Sequence, residues 1–264
     1  MDESDGPRPL TATILSQGDE VVTGQVTNTN AAWLAERATD LGFEVRRHVA
    51  VGDRLEDLVA QLTESAGRAD LVLSSGGLGP TQDDLTADAV AEAFGRPLER
   101  DEQALARIKE YFARAGRQMA DVNRKQADLP RGAERLDNDR GTAPGFAVEQ
   151  AGTYLAFLPG VPVEMQSMFD EHVAPRLEQL FRLEPRRLVT IRVVGLGEST
   201  IQQRLGRIED ERFVLSYRTK LPENHVKLRF APGVSEQEVE QVVSDLQGRI
   251  GASAFAVEGL EGQG

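Results

Sequence analysis

An apolar triplet, Leu71-Val72-Leu73, runs into Ser74-Ser75-Gly76-Gly77-Leu78-Gly79-Pro80-Thr81-Gln82-Asp83-Asp84-Leu85-Thr86, and a helical pattern from Ala87 to Phe94 follows. Three glycines between a buried strand and a helix start constrain this chain more than any other stretch. They let backbone N–H groups approach an anion, which the helix start then favours. Two adjacent carboxylates at that point repel a bare phosphate unless a cation bridges them or they handle protons. The pattern points to chemistry on a phosphorylated ligand with a divalent metal.

The flanking rhythm places this loop in a fold. Leu10 to Ser16 alternates and then turns apolar, as a buried first strand does. A loop over 17–27 leads into a helix from Asn28 to Leu41, with Gly42 as its stop. Phe43 to Val51 reads as the second strand. Asp53 and Glu56 form a D-x-x-E capping box ahead of Leu55, Leu58, Val59 and Leu62, which share one helix face. Leu71 to Ser74 is the third strand. Such alternation implies a parallel sheet covered on both faces, with its ligand site at the strands' C-terminal ends. The loops after Ser16, Val51 and Ser75 are the richest in glycine and carboxylates, and all follow strands, so they share one rim.

Beyond Phe94 the pattern gives a helix over 101–115, a polar stretch over 118–131, paired strands over 146–148 and 154–158, and a helix from Val163 to Phe181. The first domain therefore spans 1–183. Residues 184–264 follow the order β-α-β-β-α-β, which suits a small split-βαβ sandwich.

Composition removes several function classes. The net charge is −13, from 43 acids against 30 bases, and such a surface repels nucleic acid. The absence of cysteine removes disulfides, thiolate metal sites and cysteine nucleophiles together. Residues 1–9 lack the basic-then-apolar order of a signal peptide, and no run approaches the ~20 apolar residues of a membrane helix. A cytoplasmic protein without membrane or nucleic-acid partners is expected.

Six motifs carry a resemblance. Gly18-Asp19-Glu20-Val21-Val22-Thr23-Gly24-Gln25, Asn28-Thr29-Asn30, Gly76 to Thr86, Asn123-Arg124-Lys125-Gln126-Ala127, Gly141-Thr142-Ala143-Pro144-Gly145-Phe146 and Leu158-Pro159-Gly160-Val161-Pro162-Val163-Glu164-Met165 occur in this order. Together they resemble the CinA (competence/damage-inducible protein A) family over nearly the whole chain. The resemblance implies an α/β fold: a three-layer molybdopterin-binding-like (adenylyltransferase-like) domain with a mostly parallel sheet, plus a small α+β KH-like domain. It also implies ADP-ribose pyrophosphatase activity dependent on Mg²⁺, Mn²⁺ or Co²⁺, with room for a monovalent cation, and a homodimer. Many members continue into an amidohydrolase domain acting on nicotinamide mononucleotide. This sequence ends at Gly264, so deamidase activity is expected to be absent, with a separately encoded amidohydrolase as a partner to look for.

The candidate residues follow from loop chemistry and from this resemblance. Gly76, Gly77 and Gly79 form the phosphate cradle, with Thr81 and Thr86 beside them. The resemblance makes the Asp84 position the carboxylate of catalysis, marks Asp83 as particular to the family pattern, and adds Asp53 after the second strand. Metal ligands are sought among Asp83, Asp84, Asp19 and Glu20, since neighbouring carboxylates can hold Mg²⁺ and leave water positions open. One of Asp83 and Asp84 is also expected to cap the following helix. Arg124 and Lys125 are candidates for neutralising phosphate. Asn28 caps the first helix or donates to a ligand. Gly145 and Gly160 have the look of turn residues and are also candidates for contacting the substrate, the latter in a loop that lines the pterin pocket of adenylyltransferase relatives. His48, His172 and His225 match no metal spacing, and Trp33 reads as packing.

The leading expectation is hydrolysis of a nucleoside diphosphate sugar to AMP and a sugar phosphate. Molybdopterin binding or adenylyl transfer is the alternative. It is weakened by Leu78, which stands where a GGTG loop has threonine. A non-catalytic nucleotide-binding scaffold is the third.

Overall fold

The structure, a computed structural model, describes residues 8–260. The reading of the N-terminus as free of a signal peptide falls mostly on residues 1–7, outside the described residues. The chain divides into two compact units, one of residues 1–39 and 43–183, the other of residues 40–42 and 184–264.

In the first unit the chain runs β1 (Thr11–Gln17), α1 (Asp19–Val22), α2 (Thr29–Asp40), β2 (Glu44–Val51), α3 (Leu55–Ser65), β3 (Leu71–Ser75) and α4 (Thr86–Phe94). It continues through β4 (Leu98–Arg100), α5 (Glu102–Arg114), a 3₁₀ turn at Asp121–Ala127, β5 (Asp128–Pro130), β6 (Glu134–Leu136), β7 (Gly145–Gln150) and β8 (Thr153–Leu158). It ends in α6 (Pro162–Met168), a π segment at Phe169–Val173, and α7 (Ala174–Leu180). Six strands form one sheet in the order β2-β1-β3-β8-β7-β6. The first four run parallel, while β7 and β6 turn antiparallel. β4 and β5 form a separate two-stranded ribbon.

Alternation along the strands explains the layers, since successive side chains point to opposite faces. Leu15, Val72, Leu155 and Phe157 pack with Leu58 and Leu62 of α3 and Ala89 and Val90 of α4. Their neighbours Ile14, Leu71 and Leu73 are just as buried, so helices cover the other face as well. There Trp33 of α2 meets Phe169 edge-on, with ring centroids 5.3 Å apart, which is packing as expected.

Three local expectations are corrected. The loop over 17–27 contains the short helix α1. The D-x-x-E box does not form: α3 begins at Leu55, Arg54 sits at the cap position, and no side chain caps it. Neither Asp83 nor Asp84 caps α4, whose cap position is Leu85, again without a side-chain bond.

The second unit runs β9 (Leu188–Val194), α8 (Glu198–Leu205), β10 (Phe213–Lys220), β11 (Glu223–Phe230), α9 (Glu236–Ile250) and β12 (Ala254–Glu258). Its strands are all antiparallel in the order β10-β11-β9-β12, the split-βαβ arrangement. Val189, Ile191, Val226 and Leu228 on the sheet pack against Ile201, Val239 and Leu246 of the two helices.

Candidate functional site

The chain makes β1, moves outward to β2, then returns to the other side of β1 for β3. This reversal opens a crevice at the carboxyl ends of β1 and β3, where ligands of open α/β sheets bind. A cleft of about 630 Å³ lies there. Gln17, Gly18 and Glu20 line it from the loop after β1, Asp53 from the loop after β2, Gly76 to Pro80 with Asp83 and Asp84 after β3, and Pro159 to Pro162 with Glu164 after β8.

These loops are locked together by polar side chains. Gln17, buried at the end of β1, donates through Nε2 to Asp53 Oδ1 at 3.1 Å. Asp53 Oδ2 accepts from the Asp19 N–H at 3.0 Å, and Asp19 Oδ1 accepts from the Asp53 N–H at 3.1 Å. The Thr86 hydroxyl bonds Gln17 Oε1 and also the Gly76 carbonyl, the latter at 3.0 Å. Asp53 is thus tied through Gln17 to the start of α4, which is why it does not cap α3. Asn28 does cap α2, accepting from the Ala31 N–H at 3.0 Å, and its Nδ2 donates to Ser16 Oγ at 2.8 Å. Asn30 donates to the Gly160 carbonyl at 2.7 Å, joining α2 to the loop after β8.

The glycine loop is shaped for close approach. Gly76 and Gly77 both have positive φ, at 108° and 67°. A side chain on Gly77 would land on the Gln17 amide, and one on Gly79 on the Asp84 carboxyl. The Gly76 N–H is committed to the Leu158 carbonyl at 3.0 Å, so this glycine joins β3 to β8 rather than cradling an anion. The N–H groups of Gly77, Leu78 and Gly79 donate to no protein acceptor among the described residues and stay available to a ligand.

Asp84 is half-buried and fixed. Its Oδ2 accepts from the Thr81 N–H at 2.8 Å and from the Thr81 hydroxyl at 2.5 Å. Thr81 is therefore a support for Asp84, outside the cleft lining, and Thr86 likewise is buried behind it. Asp83 is exposed beside Asp84.

Several candidates lie elsewhere. Arg124 pairs with Asp121 at 2.6 Å on the surface and does not reach the cleft. Lys125 donates to the Asp84 carbonyl at 2.6 Å and the Thr81 carbonyl at 3.3 Å and pairs with Asp88 at 3.4 Å, so it braces the loop from behind. Gly145 is buried within β7, where a Cβ would lie 2.6 Å from the Phe157 carbonyl; strand packing requires it. Asp19 spends its carboxyl on the Asp53 N–H and does not line the cleft, whereas Glu20, Asp83 and Asp84 do.

Gln17, Gln126 and Glu164 are polar cleft residues that the sequence does not single out. Gln126 donates to the Leu78 carbonyl at 3.4 Å and to Thr142 Oγ1 at 3.2 Å, and it accepts from Asn123 at 3.0 Å. Of the 123–127 motif it is the neutral amides that serve the site. The signal was there in Gln17, a polar residue ending an apolar strand beside a glycine.

Among the described residues the lining contains five carboxylates, Glu20, Asp53, Asp83, Asp84 and Glu164, and no lysine, arginine or histidine. No three His, Cys, Asp or Glu side chains among the described residues converge closely enough to hold a metal alone. A divalent cation here would draw on one or two carboxylates, with ligand oxygens and water completing its shell, the habit of Mg²⁺. The donor set fits that mode.

Comparison with known proteins agrees with this architecture. The family model described as "Probable molybdopterin binding domain" matches residues 13–179. A CinA-like protein of Anaeromyxobacter sp. (strain Fw109-5) is 40% identical over 252 residues, which are 94% of this chain and 61% of that protein. One from Escherichia coli (strain SMS-3-5 / SECEC) is 40% identical over 255 residues, 96% of this chain and 63% of that protein. The solved structure of CinA from Thermoplasma acidophilum superposes with a TM-score of 0.59 at 34% identity, covering 66% of this chain and 99% of that one. The first unit is a molybdopterin-binding-type α/β domain. The chain belongs to the CinA family, and it spans about three-fifths of the length of the two curated relatives.

Among the described residues no helix is long and apolar enough to cross a membrane.

Proposed function

We propose that the cleft binds the diphosphate bridge of a nucleoside diphosphate sugar, ADP-ribose or a close relative, together with a divalent cation, and hydrolyses it. Water adds to one phosphorus, the bridging P–O bond breaks, and two phosphomonoesters leave with release of a proton. From ADP-ribose the products are AMP and ribose 5-phosphate.

One observation carries this reading: free loop amides and five carboxylates share a cleft that holds no basic side chain. The amides suit phosphate oxygens. The carboxylates oppose them, by about 3 kcal/mol per charge pair at ~5 Å and an effective dielectric near 20. An anionic ligand is favoured there only with a counter-cation, and Asp83 or Asp84 would hold it, with Asp53 nearby. When bound, such a metal polarises phosphoryl oxygen and lowers the pKa of water. The protein's own share is positional. Gly77, Leu78 and Gly79 hold the phosphate, and Thr81 fixes Asp84 so that its free oxygen can orient water and accept its proton. Gln17 sets Asp53 against both.

A screen of the purified protein against nucleotide sugars with Mg²⁺, Mn²⁺ and Co²⁺, following phosphomonoester release, tests the proposal. Product should form with ADP-ribose and stop with a chelator; no product with any nucleotide sugar under any of the metals sinks it.

Binding of a molybdopterin is the second reading, favoured by the match to the molybdopterin-binding domain model over residues 13–179. The loop from Pro159 to Pro162 supplies an apolar wall that suits a heteroaromatic ring. Pterin titration by calorimetry beside the release assay separates the two.

A further inference from the structure

We infer that Glu164 recognises a ribose hydroxyl of the ligand, an inference that rests on the nucleotide-sugar reading above. Glu164 is half-buried and lines the cleft. Asn138 donates through Nδ2 to Glu164 Oε2 at 2.7 Å and to the Ala143 carbonyl at 2.9 Å, while its Oδ1 accepts from the Arg140 N–H at 3.0 Å. Every hydrogen-bonding atom of that amide is committed, so its orientation is set and it can only donate to Glu164. Oε1 has no protein partner among the described residues.

Gly141 makes room for this arrangement. A Cβ there would lie 2.6 Å from Glu164 Oε1 and closer still to the rest of the carboxyl. Its φ is not in the left-handed region, so glycine is present for space and not for conformation. The Gly141 to Gly145 motif and the Leu158 to Met165 motif therefore meet at one carboxylate.

A carboxylate oxygen only accepts, so its counterpart is a hydrogen-bond donor or a cation, and the cation of this cleft is assigned to Asp83 or Asp84. Among the described residues no lysine or arginine lines the cleft to supply it. A nucleotide sugar offers ribose hydroxyls and, on adenine, an amino group. The apolar lining from Val21, Val26 and Val161 suits the faces of the base, which leaves the hydroxyls for an isolated, charged acceptor.

The test compares ADP-ribose with three analogues: one lacking the 2-hydroxyl of the adenosine ribose, one lacking that of the terminal ribose, and one carrying hypoxanthine in place of adenine. It reads kcat/KM, and Kd by calorimetry with Ca²⁺. One deoxy analogue should lose about 10- to 100-fold on the unaltered protein, the span of one hydrogen bond to a charged group. Glu164→Gln should lose as much on ADP-ribose and nothing more on that analogue. Gly141→Ala should reproduce Glu164→Gln, because its Cβ displaces the carboxyl from its place beside Asn138. Equal losses across all ligands for Glu164→Gln, or a matching loss with hypoxanthine alone, would overturn the inference. Binding that shows the expected pattern without product overturns hydrolysis and leaves Glu164 in its role; absence of both product and binding sinks both.

Discussion

Two segments carry the same helix-start signature and do different things with it. Ser235-x-x-Glu238 closes its capping box: Ser235 Oγ accepts from the Glu238 N–H at 3.4 Å, and Glu238 Oε2 accepts from the Ser235 N–H at 3.0 Å. Asp53-x-x-Glu56 leaves its box open and turns Asp53 toward Gln17 and Asp19. A cap is worth about 1 kcal/mol, so two long-range donors on the same carboxyl are enough to outbid it. An acid that gives up its local role in this way marks a site, and Asp84 beside the uncapped α4 repeats the case. Carboxylates of the second unit show the opposite. Glu223 and Asp210 are paired with Arg192 and Arg212, and those pairings hold both carboxyls below the usual range. Their charge is already neutralised, whereas Asp53, Asp84 and Glu164 of the cleft bond to amides, a hydroxyl and backbone N–H groups and form no ion pair among the described residues.

If that contrast is functional, Asp84→Asn should have the largest effect. Removing the charge while Thr81 keeps an oxygen acceptor should cost turnover on the order of 1,000-fold, the size of a lost acid–base or metal-binding group, with Tm nearly unchanged. Full activity in this variant would remove Asp84 from the chemistry. Asp53→Ala should follow at about 10- to 100-fold, because it lets Gln17 and the loop after β1 drift from the productive geometry. Circular dichroism should show α3 intact. Loss of that helix would mean that Asp53 is a cap after all.

Much of this was legible in the chain itself. Strand and helix order followed from apolar periodicity, and the shared rim followed from βα connectivity, which brings loops distant in sequence to one sheet edge. What stayed hidden depends on partners that sequence spacing does not encode. Asp53 reads as a cap until Gln17, 36 residues away, is seen to hold it. Arg124 and Lys125 read as phosphate ligands because they are cations in a motif, yet Asp121 lies one turn from the first and backbone carbonyls face the second. Gln126 and Glu164 were overlooked because a neutral amide and a helical glutamate look like ordinary surface. The short strands β4, β5 and β6, three residues each, fall below what period-two alternation can reveal.

The glycine loop offers an internally controlled experiment on stability. Gly77 and Gly95 share a left-handed backbone, with φ of 67° and 64°. A Cβ on Gly95 meets nothing within 4 Å, whereas one on Gly77 meets the Gln17 amide. Gly95→Ala should cost about 1 kcal/mol from conformation alone. Gly77→Ala should cost about 2–4 kcal/mol, since overpacking adds to the backbone term, and should also weaken ligand binding. Equal denaturant midpoints for the two variants would show that Gln17 yields easily and is no fixed link.

Ser235→Ala is the counterpart to Asp53→Ala and should give the smallest effect, about 1 kcal/mol of stability with turnover unchanged. Its pH dependence is the sharper reading. The Ser235 hydroxyl, first, and its backbone N–H hold the Glu238 carboxyl below the usual range. A folded-state pKa below the unfolded value means that the stabilisation is complete above the unfolded value and fades as pH falls through the folded one. The unaltered protein should therefore lose this contribution on acidification below about pH 4, near the unperturbed glutamate value, and Ser235→Ala should already lack the hydroxyl's share of it at neutral pH. The two Tm curves should converge at the acid end. Parallel curves would show that the box is formed but adds nothing through Glu238.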